Sequence, residues 1–209
     1  MNMNTKLTDD AKLYRFITFD SLLDHLVYEK FTFIKYKLFG DPWEGFYHKG
    51  FHKINEYDSY SVIGENRPFI MFFTKRKVSE AMWRIYSRDG SGVQIVTTVG
   101  RLKNLAAECS SDFDCYLREV IYDDDIEKED FFVNKYPNAT MQEKTIECLF
   151  HKRRAFDHEE EVRLVLYSKT DRPDSDIYSL YSDPNNVIEN VILDPRIDKR
   201  AEDLRISTL

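Results

Sequence analysis

A chain of 209 residues, 42% hydrophobic and 14% aromatic, is long enough to bury a substantial core, and seven Gly and six Pro leave little room for long linkers or low complexity. A net charge of −7 and a pI near 5.3 argue against a non-specific nucleic-acid coat, which works by neutralising phosphates with Lys and Arg. The polar segment Met1–Asp10 lacks the apolar run expected of a signal peptide, no apolar run approaches the roughly 20 residues that span a bilayer, and Cys109, Cys115 and Cys148 lack zinc spacing, so reduced thiols in a cytoplasmic protein are expected.

Leu13-Tyr14-Arg15-Phe16-Ile17 reads as a strand, followed by a helix capped by Asp20 with Leu22, Leu23, Leu26 and Val27 on one face. Phe31–Ile34 is a second strand. Asp41, Pro42 and Glu44 then make a capping signal for an aromatic-rich helical region reaching about Tyr57. Phe69–Phe73 is a buried strand, Ser79–Tyr86 a capped short helix, and Gly92–Val96 a strand after the Asp89-Gly90 turn. A helix is expected over Arg101–Cys109, a strand over Leu117–Tyr122, and a solvated acidic segment from Asp123 to Asp130. A helix over Gln142–His151 precedes the strand Glu161–Tyr167, rich in β-branched and apolar residues. Asn190–Leu193 and Arg205–Thr208 close the set as strands. Helices and strands mix without a βαβ rhythm, which predicts an α+β fold with mixed, largely antiparallel sheets and flanking helices. No repeat or composition shift marks a boundary, so residues 1–209 read as one domain, with 1–11 a loose N-terminal tail.

Familiar nucleotide and hydrolase signatures are absent: there is no phosphate loop, no G-x-G-x-x-G, no H-E-x-x-H and no G-x-S-x-G. His48 and His52 are four apart and could share a helical face, but no third ligand supports a metal. Asp123 and Asp125 read as solvated acids before they read as a cation site. No metal is expected.

The segment Phe156-Asp157-His158-Glu159-Glu160-Glu161-Val162-Arg163-Leu164 carries the strongest local pattern. Alternation along a strand places Glu159, Glu161 and Arg163 on one face and Val162 and Leu164 on the core face. Two such carboxylates can act on one substrate: one steadies a developing oxocarbenium ion, the other orients or deprotonates an acceptor. Arg163 would then be a counter-ion. The competing reading is an exposed acidic strand edge with a salt bridge. Arg15, on an otherwise apolar strand, suits a phosphate or carboxylate, or else snorkels to water. Trp83 and Tyr86 meet on a helical face, as a stacking wall for a planar ring or as core. Lys75, Arg76, Lys77, Arg84 and Arg88 concentrate positive charge that could meet phosphates, or simply face solvent.

Taken together, Leu13–Phe16, Gly40–Glu44, Met82-Trp83-Arg84-Ile85-Tyr86 with Gly92-Val93, Glu159–Leu164 and Val191–Pro195 resemble a bacterial family of domains of unknown function, the one numbered twenty-nine seventy-one. Gly40 stands where that family has Asn, and Val162 where it has an aromatic. The motif order is in turn similar to ADP-ribosyltransferases, with an Arg on the first strand, a hydroxyl or Tyr mid-chain and a late Glu-x-Glu. That resemblance implies an NAD-consuming transferase, a toxin or phage-defence effector acting on protein or nucleic acid, with an antitoxin or neighbouring regulator as partner and no membrane. Glu161 would steady the ribosyl cation and Glu159 orient the acceptor. Arg15 would hold the dinucleotide, Thr74 or Tyr86 would be the mid-chain hydroxyl, Tyr86 would pack against nicotinamide, and Tyr14, Thr74 and Trp83 complete the expected NAD-binding set. The alternative is a non-catalytic peptide- or nucleic-acid-binding regulatory module.

Overall fold

The computed structural model describes residues 7–39, 66–77, 79–126, 131–172 and 174–208. Its centre is the pair of strands that the sequence marks most clearly. β3 (Pro68–Thr74) and β8 (Glu161–Ser168) run antiparallel in unbroken register from Pro68↔Tyr167 to Thr74↔Glu161. Side chains alternate across a strand, so a sheet covered on both sides needs apolar residues at successive positions. Phe69, Met71 and Phe73 join Val162, Leu164 and Leu166 in the main core, while Ile70, Val165 and Tyr167 pack into a second cluster on the other face. Val162, Leu164 and Leu166 are fully buried, each contributing roughly 1.5–3 kcal/mol.

The other strands extend this pair into one eight-stranded antiparallel sheet. β5 (Phe113–Glu119) lies along the far edge of β8. On the opposite side β1 (Lys12–Thr18) leads to β4 (Gly92–Thr98) and β10 (Asn190–Leu193), and β2 (Lys30–Ile34) leads to β9 (Ile177–Tyr181). A separate parallel pair joins β6 (Ile121–Asp123) to β7 (His151–Arg153). Helices with a mostly antiparallel sheet make this the expected α+β fold.

One irregularity positions everything that follows. The edge of β3 away from β8 has two neighbours: β1 meets it at Tyr14↔Thr74, and β2 at Ile34↔Ile70. Met71, Phe72 and Phe73 lie between these bridges, and there the sheet forks.

Local signals set most helix starts. α1 (Phe19–Tyr28) is capped by Thr18, whose Oγ1 accepts from Ser21 N, so Asp20 is a first-turn residue rather than the cap. Leu22 is buried, whereas Val27, placed on the apolar stripe from the sequence, is exposed. Ser79 caps α2 (Glu80–Tyr86) and Thr98 caps α3 (Val99–Ala107). α4 (Phe131–Lys135) is followed by α5 (Met141–Cys148), which starts with a capping box between Thr140 and Glu143. α6 (Pro184–Val187) is a single turn, and α7 (Lys199–Ile206) is capped by Asp198.

Four expectations change. The strand expected over Leu117–Tyr122 starts at Phe113 and breaks into β5 and β6. The helix expected to reach His151 stops at Cys148, and His151 opens β7. Arg205–Thr208, expected as a strand, begins within α7. In the segment expected to be a loose tail, residues 7–11 are held down: Leu7 and Ala11 pack on the core, and Asp9 O and Ala11 O accept from Gly100 N and Val99 N. The helix expected from Asp41 to Tyr57, with His48 and His52, lies outside the described residues. No helix of those residues is long and apolar enough to cross a membrane.

Candidate functional site

A 3₁₀ turn, Arg154–Glu159, delivers the chain to β8, and Glu160 between them is left-handed at φ 42 and ψ 51. Glu161 and Arg163 therefore share a strand face as expected, but Glu159 does not belong to that strand. It reaches the same place because Glu160 reverses the backbone. A non-glycine residue in this conformation costs on the order of 1–2 kcal/mol. The neighbouring strand offsets the strain: Thr74 Oγ1 donates to Glu159 O at 2.5 Å, Lys75 N to Glu160 O at 3.1 Å, and Arg76 pairs with the Glu160 carboxylate at 2.8 Å.

The two carboxylates are buried, not displayed on an exposed edge. β8 lies between β3 and β5, and Glu159 and Glu161 are 6% and 5% exposed. Lys152 Nζ, on β7, donates to Glu159 Oε2 at 2.6 Å and to Glu161 Oε2 at 3.0 Å. Arg163 Nε donates to Glu161 Oε1 at 2.6 Å and its Nη2 to Oε2 at 3.2 Å, while Nη1 donates to Leu149 O at 2.6 Å. Burial pushes the Glu161 carboxyl up, but the Arg163 and Lys152 charges outweigh it and hold the group below its ordinary range. Tyr86 OH donates to Glu159 Oε1 at 3.0 Å; burial and the adjacent carboxylate push that phenol above its ordinary value, which keeps it a donor. Tyr122 OH accepts from Glu161 N at 2.8 Å, and burial raises it to about 12.

Glu159, Glu161, Lys152 and Tyr86 line a cavity of about 690 Å³ at the fork of the sheet, within the range of about 300–1,000 Å³ common to small-molecule sites. β1 contributes Tyr14, Arg15 and Phe16; β3 contributes Phe72, Phe73 and Thr74. Ile34, Leu38 and Phe39 close one side, Met82, Ile85, Tyr86 and Arg88 another, and Lys152, Arg153 and Phe156 sit with the acidic pair. Tyr14 and Arg15 leave opposite faces of β1, and both reach the cavity because β1 and β2 part there.

Arg15 occupies the gap itself. Its Nη1 donates to Phe72 O at 3.1 Å, a carbonyl within the stretch of β3 that lies between its two bridges on this edge. Its Nε is buried with no hydrogen-bond partner, and among the described residues no carboxylate pairs with it. Burial lowers the guanidinium to about 10, still protonated at neutral pH. A part-buried cation whose Nε is buried and unused, facing a cavity, is a place for an anionic ligand.

The aromatic pair divides. Tyr86 is 46% exposed and lies parallel to Phe16 at 5.8 Å, on the cavity wall. Trp83 is buried behind it, edge-on to Phe16 at 4.8 Å, and is absent from the cavity lining. The basic patch also resolves into separate roles. Lys75 pairs with Glu119, Arg76 with Glu160 and Arg84 with Glu80, whereas Arg88 lines the cavity.

α2, which carries Tyr86, is anchored from the C-terminal part of the chain. Arg196 Nη2 donates to Trp83 O at 3.0 Å and Ser87 O at 2.5 Å, and also pairs with Asp194 at 2.6 Å. Ser87 Oγ donates to Asp194 at 2.5 Å and accepts from Gly92 N at 2.8 Å. A Cβ at Gly92 would lie 2.7 Å from Ser87 Cβ, so only glycine permits this approach. Burial opposes the charge on Asp194, but Arg196 and Ser87 prevail and hold its carboxyl down to about 2.

Lys152 and Phe39 were not picked out from the sequence, and Phe72 and Phe156 only as parts of a strand and of the acidic segment, not as site residues. Lys152 fell just beyond an expected helix, and no spacing rule links it to Glu159 and Glu161. Asp123, weighed as a cation ligand, instead accepts from Lys135 at 2.9 Å and meets His151 Nδ1 at 2.6 Å. Among the described residues no group of three His, Cys, Asp or Glu could hold a metal. No curated protein and no solved structure matches the chain. The family model described as "Protein of unknown function (DUF2971)" matches residues 82–164, a stretch that holds Tyr86, Lys152, Glu159, Glu161 and Arg163 and leaves Arg15 outside.

Proposed function

We propose that the chain is an NAD-consuming ADP-ribosyltransferase acting on a protein or nucleic-acid acceptor. The observation that carries this reading is that Arg15, Tyr86, Glu159 and Glu161, drawn from three distant parts of the chain, line one cavity. Its lining holds four cations, Arg15, Arg88, Lys152 and Arg153, against two carboxylates in a protein of net charge −7. That local excess suits a dinucleotide's pyrophosphate, and Tyr14, Phe16, Phe72 and Tyr86 offer flat apolar walls for its rings.

In the reaction the bond between ribose C1′ and the nicotinamide nitrogen breaks, and its electron pair leaves with nicotinamide. The Glu161 carboxylate steadies the ribosyl cation, an effect largest in a site with little water. The acceptor's nucleophile bonds to C1′ and gives its proton to Glu159. Arg15 holds the phosphates and Tyr86 packs beside the leaving ring.

A second reading rests on a specific contact: Glu161 already accepts hydrogen bonds from both Arg163 and Lys152. A carboxylate so fully partnered also suits a non-catalytic module whose buried charges shape a peptide or nucleic-acid groove. Nicotinamide release from NAD, measured with wild type and Glu161→Gln, separates the two. Transfer chemistry gives release by wild type and a loss on the order of 10²–10³-fold in a folded variant. No turnover by wild type, or equal turnover by both, removes the transferase reading.

A further inference from the structure

Lys152 stands between the two carboxylates and has no role in the reaction outlined above. The residue is 8% exposed, and its ammonium is within 3.0 Å of an oxygen of each and lies over the Phe156 ring at 4.7 Å. Two oxygens that share one nitrogen partner at these distances are no more than about 6 Å apart, close enough for like charges to shift each other's titration. Buried in this way, both carboxylates cannot keep their charge without a cation for each. Arg163 supplies one, and both of its bonds to the pair go to Glu161. Glu159 has Lys152 as its cation and Tyr86 as its neutral donor.

We infer that Lys152 is a positioning residue that keeps Glu159 and Glu161 ionised together and fixes their separation, so that one can face a cation while the other takes a proton. This rests on the transferase reading for its consequence, but not for its physics. Among the described residues, the groups facing the pair are Tyr86 from α2, Tyr122 from β6, Lys152 from β7 and Arg163 from β8, with Arg15, Arg88 and Arg153 farther around the cavity. Tyr86 and Tyr122 are phenols that burial keeps neutral, and a phenol carries no positive charge in any state, so neither can replace the lost cation. A bare hydrophobic side chain at 152 would leave the two buried carboxylates with one cation bonded to them among the described residues, that of Arg163, and one of them would take up a proton.

Carbon-detected NMR of protein labelled at the Glu carboxyl carbons tests this without reference to activity. In Lys152→Met one carboxyl of the pair is expected to titrate about 1–2 pH units higher than in wild type, and in Lys152→Arg to stay near the wild-type midpoint. Adding Glu159→Gln to Lys152→Met is expected to return Glu161 toward its wild-type titration, because the like charge is gone. The acidic limb of the nicotinamide-release profile should move by the same interval in Lys152→Met. An unchanged titration in folded Lys152→Met overturns the inference. If Lys152→Met does not fold, recovery of folding in the double variant supports it and no recovery overturns it. If wild type releases no nicotinamide, the transferase reading falls while the titrations still decide the role of Lys152.

Discussion

The two edges of β3 present the same seven residues to very different neighbours. Toward β8 every residue from Pro68 to Thr74 has a partner, and the strands share two hydrophobic clusters. Toward β1 and β2 there are two bridges with a gap between them, filled by the Arg15 guanidinium and a cavity of about 690 Å³. The closed edge is where burial and ladder hydrogen bonds concentrate, and the open edge is where polar groups are left available. A sheet has to give up pairing somewhere to admit a ligand between its strands. Here the loss is confined to three residues of one strand, next to an unbroken register that runs the length of that strand.

The contrast breaks first at Arg163, which ties the closed edge to the acidic pair. Its guanidinium is 1% exposed and bonded to Glu161 and Leu149 O. Arg163→Ala leaves Glu161 buried with a cation lost, and a stability decrease of about 3–5 kcal/mol is expected from denaturant unfolding. A change below about 1 kcal/mol would show that this arginine is not the partner that burial of Glu161 requires.

A smaller effect should appear with pH beneath the same edge. His151 is buried on β7 between Asp123 and Tyr136, and burial lowers its ring from 6.5 to about 4. Below pH 6.5 the unfolded chain takes up a proton that the folded ring refuses, so stability is lost as pH falls toward 4, by about 3 kcal/mol at most. Denaturant midpoints at pH 7 and pH 4.5 should differ more for wild type than for His151→Gln. Equal differences would place the acid sensitivity elsewhere.

The smallest effect on stability is expected on the open edge. Among the described residues the Arg15 side chain makes one hydrogen bond, to Phe72 O, and its Nε makes none. Arg15→Gln should cost no more than about 1 kcal/mol in a thermal melt. A large loss would mean that the guanidinium closes the fork structurally.

Much of the closed region was legible in the sequence, because a run such as Phe69–Phe73 or Val162–Tyr167 leaves a strand buried on both faces few alternatives. Caps at Ser79 and the turn at Asp89-Gly90 were equally readable, since they depend on neighbouring residues alone. The open region was legible only in part. Arg15, Tyr86, Glu159 and Glu161 stand out as residues, but their meeting depends on a fork created by two distant strands bridging one neighbour. Lys152 carries no local signal for the same reason: its partners are chosen by the parallel pairing of β7 with β6. Glu159 was assigned to the strand because alternation predicts it, and the left-handed turn at Glu160 is set by contacts from Thr74 to Arg76 that no nearby residue announces. The C-terminal helix Lys199–Ile206, capped by Asp198, takes in the first residues of the expected strand Arg205–Thr208.

Calorimetric titration of NAD into wild type and into Arg15→Gln tests most directly whether the open edge is the ligand site. The expected result is saturable binding to wild type and at least about tenfold weaker binding to the variant, since a charge-assisted contact to phosphate is worth roughly 1.5–3 kcal/mol. Equal affinity in both proteins, or no heat of binding to wild type across the millimolar range, would contradict it.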